Sequence, residues 1–112
     1  MTDKVRLLLR RYAEEIRGIF GGSLDRIILY GSLARGEDTA DSDIDLMILV
    51  QLSDEEIKAY MSAVASLSFD MEMEYDVILS PIIKNTDQFM DWADTVPFYR
   101  NVMEEGVELF AE

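Results

Sequence analysis

Apolar residues recur along the chain with two different periods, and the switches between them divide it into elements. Val5, Leu8, Leu9, Tyr12, Ile16 and Ile19 share one face at helical spacing, which predicts a helix over residues 3–20. Thr2 is placed to cap it and Gly21-Gly22 to end it. Arg6, Arg10 and Arg17 form a stripe off that face, read first as a solvated flank and second as a docking surface. A short apolar strand over 26–30 then stops at Gly31-Ser32, followed by a helical turn over 33–35 and a polar loop over 36–42. Residues 44–50 form a second apolar strand.

Ser53-Asp54-Glu55-Glu56 is a capping box for a third helical segment, with Ile57, Tyr60, Met61, Val64 and Leu67 as its buried stripe. Residues 71–80 alternate. Met71, Met73, Tyr75, Val77 and Leu79 point one way and Glu72, Glu74, Asp76 and Ile78 the other, which predicts a strand. Beyond Pro81, one or two short helices are expected over 86–105. Thr86 and Thr95 are the expected caps and Gly106 the terminator, with an edge strand over 107–110 after it. Phe89, Met90, Trp92, Phe98, Tyr99 and Met103 read as core before interface. The whole predicts an α/β (α+β) architecture, a mixed β-sheet flanked by helices, and 112 residues suit a single domain over 1–112.

Composition narrows the chemistry. There is no cysteine, so disulfides and thiolate metal sites are excluded, and no histidine to serve as base or zinc ligand. Reactions must then run on carboxylates, hydroxyls, amides and arginines, with a hard cation such as Mg²⁺ as the natural partner. The net charge of −13 disfavours a broad surface for free nucleic acid, but tolerates phosphates bridged by metal or a basic protein partner. No secretory signal or membrane-spanning run is visible, so a cytoplasmic location is expected.

The chemistry concentrates between Gly31 and Leu46. Glycine at the end of a strand lets the backbone turn sharply and lets a phosphate approach, while the free amides of the following helical turn attract anions. The Ser32 hydroxyl adds a donor, and Arg35 could reach the same phosphates. Asp43 and Asp45 are two apart on a strand and leave the same face, so they repel unless a divalent cation lies between them. Asp76 could bring a third carboxylate from another strand. Two rival motifs fail. After Gly31-x-x-x-x-Gly36 a P-loop needs Lys and Ser/Thr, where Glu37 and Asp38 stand. After Asp41-x-Asp43-x-Asp45 an EF-hand needs glycine and glutamate, where Leu46 and Leu52 stand.

Gly31-Ser32, ten residues, then Asp43-x-Asp45 resembles the signature of the DNA polymerase β nucleotidyltransferase superfamily. Ala34-Arg35-Gly36, the string Ser42-Asp43-Ile44-Asp45-Leu46 and the ending Gly106-Val107-Glu108-Leu109-Phe110 are similar to its minimal nucleotidyltransferase (MNT) branch. The resemblance implies the nucleotidyltransferase fold, with Asp43, Asp45 and Asp76 as catalytic carboxylates holding two Mg²⁺ ions. Asp76 would serve the acceptor side, and Gly31, Ser32, Arg35 and Ser42 would surround the nucleotide. It implies transfer of AMP from ATP to a hydroxyl. MNT proteins commonly pair, as antitoxins, with a small helical HEPN toxin, and some adenylylate a tyrosine of it. Because the sequence shows no appended substrate-gripping domain, the acceptor is expected to come from such a partner. Two alternatives stand beside this: a non-catalytic module that neutralises a partner by docking, or a transferase for nucleic acid or a small molecule within a complex.

Overall fold

The computed structural model describes residues 1–39 and 42–111. Ala40 and Asp41, in the middle of the expected polar loop, and Glu112 lie outside the described residues. Helix α1 spans Asp3–Phe20, with the Thr2 hydroxyl accepting the Val5 N–H at 3.2 Å. A 3₁₀ turn, Gly21–Ser23, leads into strand β1, Leu24–Tyr30. The strand begins two residues earlier than 26–30 because Leu24 is fully buried and paired with Val50. Helix α2, Gly31–Arg35, follows without any linker and ends at Gly36 in the left-handed region. Strand β2 is Ile44–Val50, antiparallel to β1.

The segment after Ser53 departs from expectation. Ser53 and Glu56 do form the reciprocal capping box, but helix α3 is only Asp54–Lys58. The chain turns at Ala59-Tyr60, and a separate helix α4 spans Met61–Tyr75. Met61, placed in the buried stripe, instead starts α4 with 57% of its surface exposed. The strand expected over 71–80 is helical through Tyr75. Val64, Ser68, Met71 and Tyr75 face inward at steps of four, three and four, the helical period. Ser68 concealed this stripe, being polar by type. It is buried because its hydroxyl bonds both the Val64 carbonyl and the Tyr12 hydroxyl, each at 2.8 Å.

Strand β3 is Leu79–Asn85, parallel to β2, and Glu72 accepts the Leu79 N–H at 2.9 Å as the chain leaves α4. Pro81 sits within β3, which an edge strand tolerates. Helix α5, Thr86–Ala93, is capped by the Asn85 side chain, which accepts the Gln88 N–H at 3.0 Å, not by Thr86. The Thr86 hydroxyl donates instead to Asp25. Helix α6, Pro97–Glu105, starts on a proline already set for the first helical turn, so Thr95 is not its cap. Gly106 ends α6. Even one methyl there would overlap Ile28 and the Val102 carbonyl, so glycine lets strand β4, Val107–Ala111, reach the sheet.

The sheet order is β3-β2-β1-β4, with β4 antiparallel to β1, so the sheet is mixed and has helices on both faces. Leu24, Ile27, Leu29, Leu46, Ile48 and Val50 pack on one side with α1 and α4. On the other side Ile28, Tyr30, Met47 and Leu49 meet Phe89 of α5 and Val102 of α6. Met90, Tyr99 and Met103 support that second layer as core, whereas Phe98 is 46% exposed. Arg6 lies 3.8 Å from Asp3 and Arg17 stacks over Phe110 at 4.8 Å, so two of the three stripe arginines have partners of their own. Among the described residues no helix is long and apolar enough to cross a membrane.

Candidate active site

The geometry of the site begins at the junction of β1 and α2. Tyr30 is the last residue of β1 and lies opposite Asp45 of β2, so the corner that follows it faces Asp45. Gly31 turns that corner at φ +78°, where a side chain is strained. A Cβ on Gly31 would overlap the Asp45 carboxylate. The glycine thus does two jobs: it makes the turn from strand to helix and leaves room for the acidic group. Ser32 follows in the first turn of α2, partly buried beside the same corner.

Asp43 directly precedes β2 and Asp45 is its second residue, near enough that the charge of one acts on the other. Partial burial raises the Asp45 pKa, the Asp43 charge raises it further, and Arg35 opposes the shift. Ser80 of β3 is level with Asp45 in the parallel register, and its hydroxyl donates to Asp43 at 3.4 Å. Mg²⁺ is commonly held by one or two carboxylates, with phosphate oxygens and water completing its shell. Two mutually repelling carboxylates, Asp43 and Asp45, fit such an ion. Tyr30 is pushed up to about 12, first by burial, then by the Asp45 charge and by Tyr99, so it stays neutral beside the pair.

The remaining expected residues are close by but differently engaged. Arg35 forms ion pairs with Glu37 at 3.1 Å and Glu105 at 3.5 Å, both exposed to solvent. The Ser42 hydroxyl, one residue before Asp43, accepts the Thr39 N–H at 2.8 Å. Asp76 is not on a strand: it closes α4 as its C-cap with φ +54°, a conformation that aspartate tolerates. It lines an open cavity of about 670 Å³ together with Lys4, Asp38, Ser42 and Asp43. Among the described residues no group of three carboxylates is placed to hold one ion.

Tyr30, Ser80 and Glu105 were not marked by sequence reasoning. Tyr30 stood next to Gly31 and carried a signal by adjacency. Ser80 and Glu105 carried none, because only the parallel register and the packing of α6 bring them in.

A mixed sheet whose Gly-Ser corner faces Asp45 of the adjacent strand, with Asp43 just ahead of that strand, marks a nucleotidyltransferase-type fold. The profile of the nucleotidyltransferase domain matches residues 9–108, and the chain belongs to that family. It is 29% identical over 105 residues to Methanocaldococcus jannaschii MJ0604, to which protein adenylyltransferase activity is ascribed. That alignment covers 91% of this chain and 94% of the relative. A second M. jannaschii protein with the same ascribed activity, MJ0141, is 32% identical over 93 residues, 82% of this chain and 91% of its own. Among solved structures, a toxin-antitoxin crystallised with AMP-PNP matches at TM-score 0.56 and 16% identity, covering 92% of this chain and 73% of its own. A mutant of the MntA-HpeT toxin-antitoxin matches at TM-score 0.57 with the same identity and coverage. At that identity the likeness is one of fold.

Proposed function

We propose that this nucleotidyltransferase domain transfers AMP from ATP to a hydroxyl of a partner protein, a tyrosine of a HEPN-type toxin, and so acts as an antitoxin. The observation that carries the reading is the Asp45 carboxylate lodged against Gly31 with Asp43 beside it, which joins a phosphate-approach corner to a cation site. The names borne by the two M. jannaschii relatives support a protein acceptor, and the fold neighbours support a toxin partner.

Asp43 and Asp45 would hold Mg²⁺, which when bound neutralises phosphate charge and lowers the pKa of an attacking hydroxyl. Gly31 and Ser32 would seat the terminal phosphates, with the Ser32 hydroxyl donating. Arg35, drawn away from Glu37 and Glu105, would contact the same phosphates, and Ser42 would keep the Asp43 approach in shape. Asp76 would accept the proton of the acceptor hydroxyl from its side of the shared cavity. The hydroxyl oxygen bonds to the α-phosphorus, the bond from that phosphorus to the bridging oxygen breaks, and pyrophosphate leaves.

The test uses ATP labelled at the α-phosphate, with Mg²⁺ and a lysate of the source cell as acceptor. The expected result is label on one protein, at a tyrosine by mass spectrometry. Label on RNA alone would contradict the protein-acceptor reading, and no transfer at all alongside a tight protein complex would favour a docking module.

A further inference from the structure

One aromatic side chain at the corner is neither core nor assigned. Phe98, in the first turn of α6, is a large apolar side chain that is 46% exposed. It also has two aromatic neighbours. Its ring meets Tyr30 edge to face at 5.8 Å and 84°, and meets Tyr99 at 5.1 Å and 79°. Tyr30 lies across the strand pair from Asp45 and directly precedes Gly31. Phe98 therefore stands one residue removed from the corner where the phosphates are placed, at the same end of the sheet. Phe98 keeps 46% of its surface exposed beside two aromatic neighbours, which leaves apolar area for a flat ligand.

Resting on the reading that ATP phosphates occupy the Gly31–Asp45 corner, we propose that Phe98 is the stacking platform for the nucleobase. Every base has a π-face, so stacking alone fixes where the base lies without reading its hydrogen-bonding edge. The larger purine surface gains more from it than a pyrimidine. The substrate class is thus purine nucleoside triphosphates, bound in preference to pyrimidine ones, with Tyr30 and Tyr99 as positioning residues behind the platform.

Calorimetric titrations of ATP, CTP and inorganic tripolyphosphate into wild type, Phe98→Ala and Phe98→Trp, all with Mg²⁺, test this. Wild type should bind ATP more tightly than CTP. Phe98→Ala should weaken ATP binding about tenfold, leave tripolyphosphate unchanged and narrow the ATP–CTP gap, while Phe98→Trp keeps wild-type ATP affinity. Equal ATP affinity in wild type and Phe98→Ala would overturn the platform while leaving the phosphate corner intact. A matching loss of tripolyphosphate binding would also overturn it, since the ring would then serve only the fold. Wild type that binds neither ATP nor tripolyphosphate would remove the phosphate corner and the platform together.

Discussion

The Asp45 carboxylate occupies the space that a Cβ on Gly31 would fill. Gly31 is at φ +78°, so alanine there suffers both backbone strain and a collision. Gly31→Ala is expected to cost about 1–3 kcal/mol of stability and to abolish nucleotide binding by displacing Asp45. Thermal unfolding followed by ATP titration checks both. Full stability together with full binding would show that the corner is looser than described.

The Asp45 carboxylate has a pH signature. Asp45 has a folded pKa above its ordinary value of 3.8, so the folded state prefers it protonated. That preference contributes stability below the ordinary value and is lost as pH rises through the folded pKa. Asp45→Asn should therefore be as stable as wild type or more so at neutral pH, by less than about 1 kcal/mol because solvent screens the pair. The difference should vanish below the ordinary aspartate range. Melting curves from about pH 3, roughly one unit below where aspartates titrate, up to about pH 8 test this. A clear loss at neutral pH would mark a structural role.

Much of this corner was legible because its signals are local. Glycine at a strand end, serine after it and aspartates two apart need no tertiary information; Ile44–Val50 formed where the pattern places it, and α2 starts at Gly31, two residues before the expected turn over 33–35. The first helix was equally plain, since its cap, face and glycine stop all agree. Misreading began where composition and period separated. Met71-Glu72-Met73-Glu74 alternates as a strand does, yet it is helical because Ser68 and Tyr75 anchor a buried stripe to α1. That changed the setting of Asp76 from strand to helix cap, and no local signal could have shown it.

Arg35 is held by two exposed ion pairs, to Glu37 and Glu105. Such pairs contribute little stability, about 0–1 kcal/mol, so the arginine is available for phosphate. Arg35→Gln should weaken ATP binding several-fold with little change in melting temperature. Glu105→Gln should leave affinity equal or raise it, because a competitor for the guanidinium is removed. If both variants bind as wild type does, Arg35 belongs to the surface and not to the site.

Asp76→Asn should cut turnover by at least about tenfold while ATP affinity stays within about twofold. Asparagine tolerates the left-handed cap conformation, so folding is preserved. Glu74→Gln is the control, since Glu74 is engaged by Arg11. Loss of turnover in Glu74→Gln with Asp76→Asn active would move the acceptor-side carboxylate onto α4.

The central claim is that Asp43 and Asp45 present a cation to a triphosphate seated at Gly31-Ser32. The most direct measurement is calorimetric titration of ATP with Mg²⁺ and with EDTA, into wild type, Asp43→Asn and Asp45→Asn. Binding should appear in wild type with Mg²⁺ and fall at least about tenfold on chelation or with either substitution. Equal affinity with and without the metal, or undiminished binding in both variants, would contradict it.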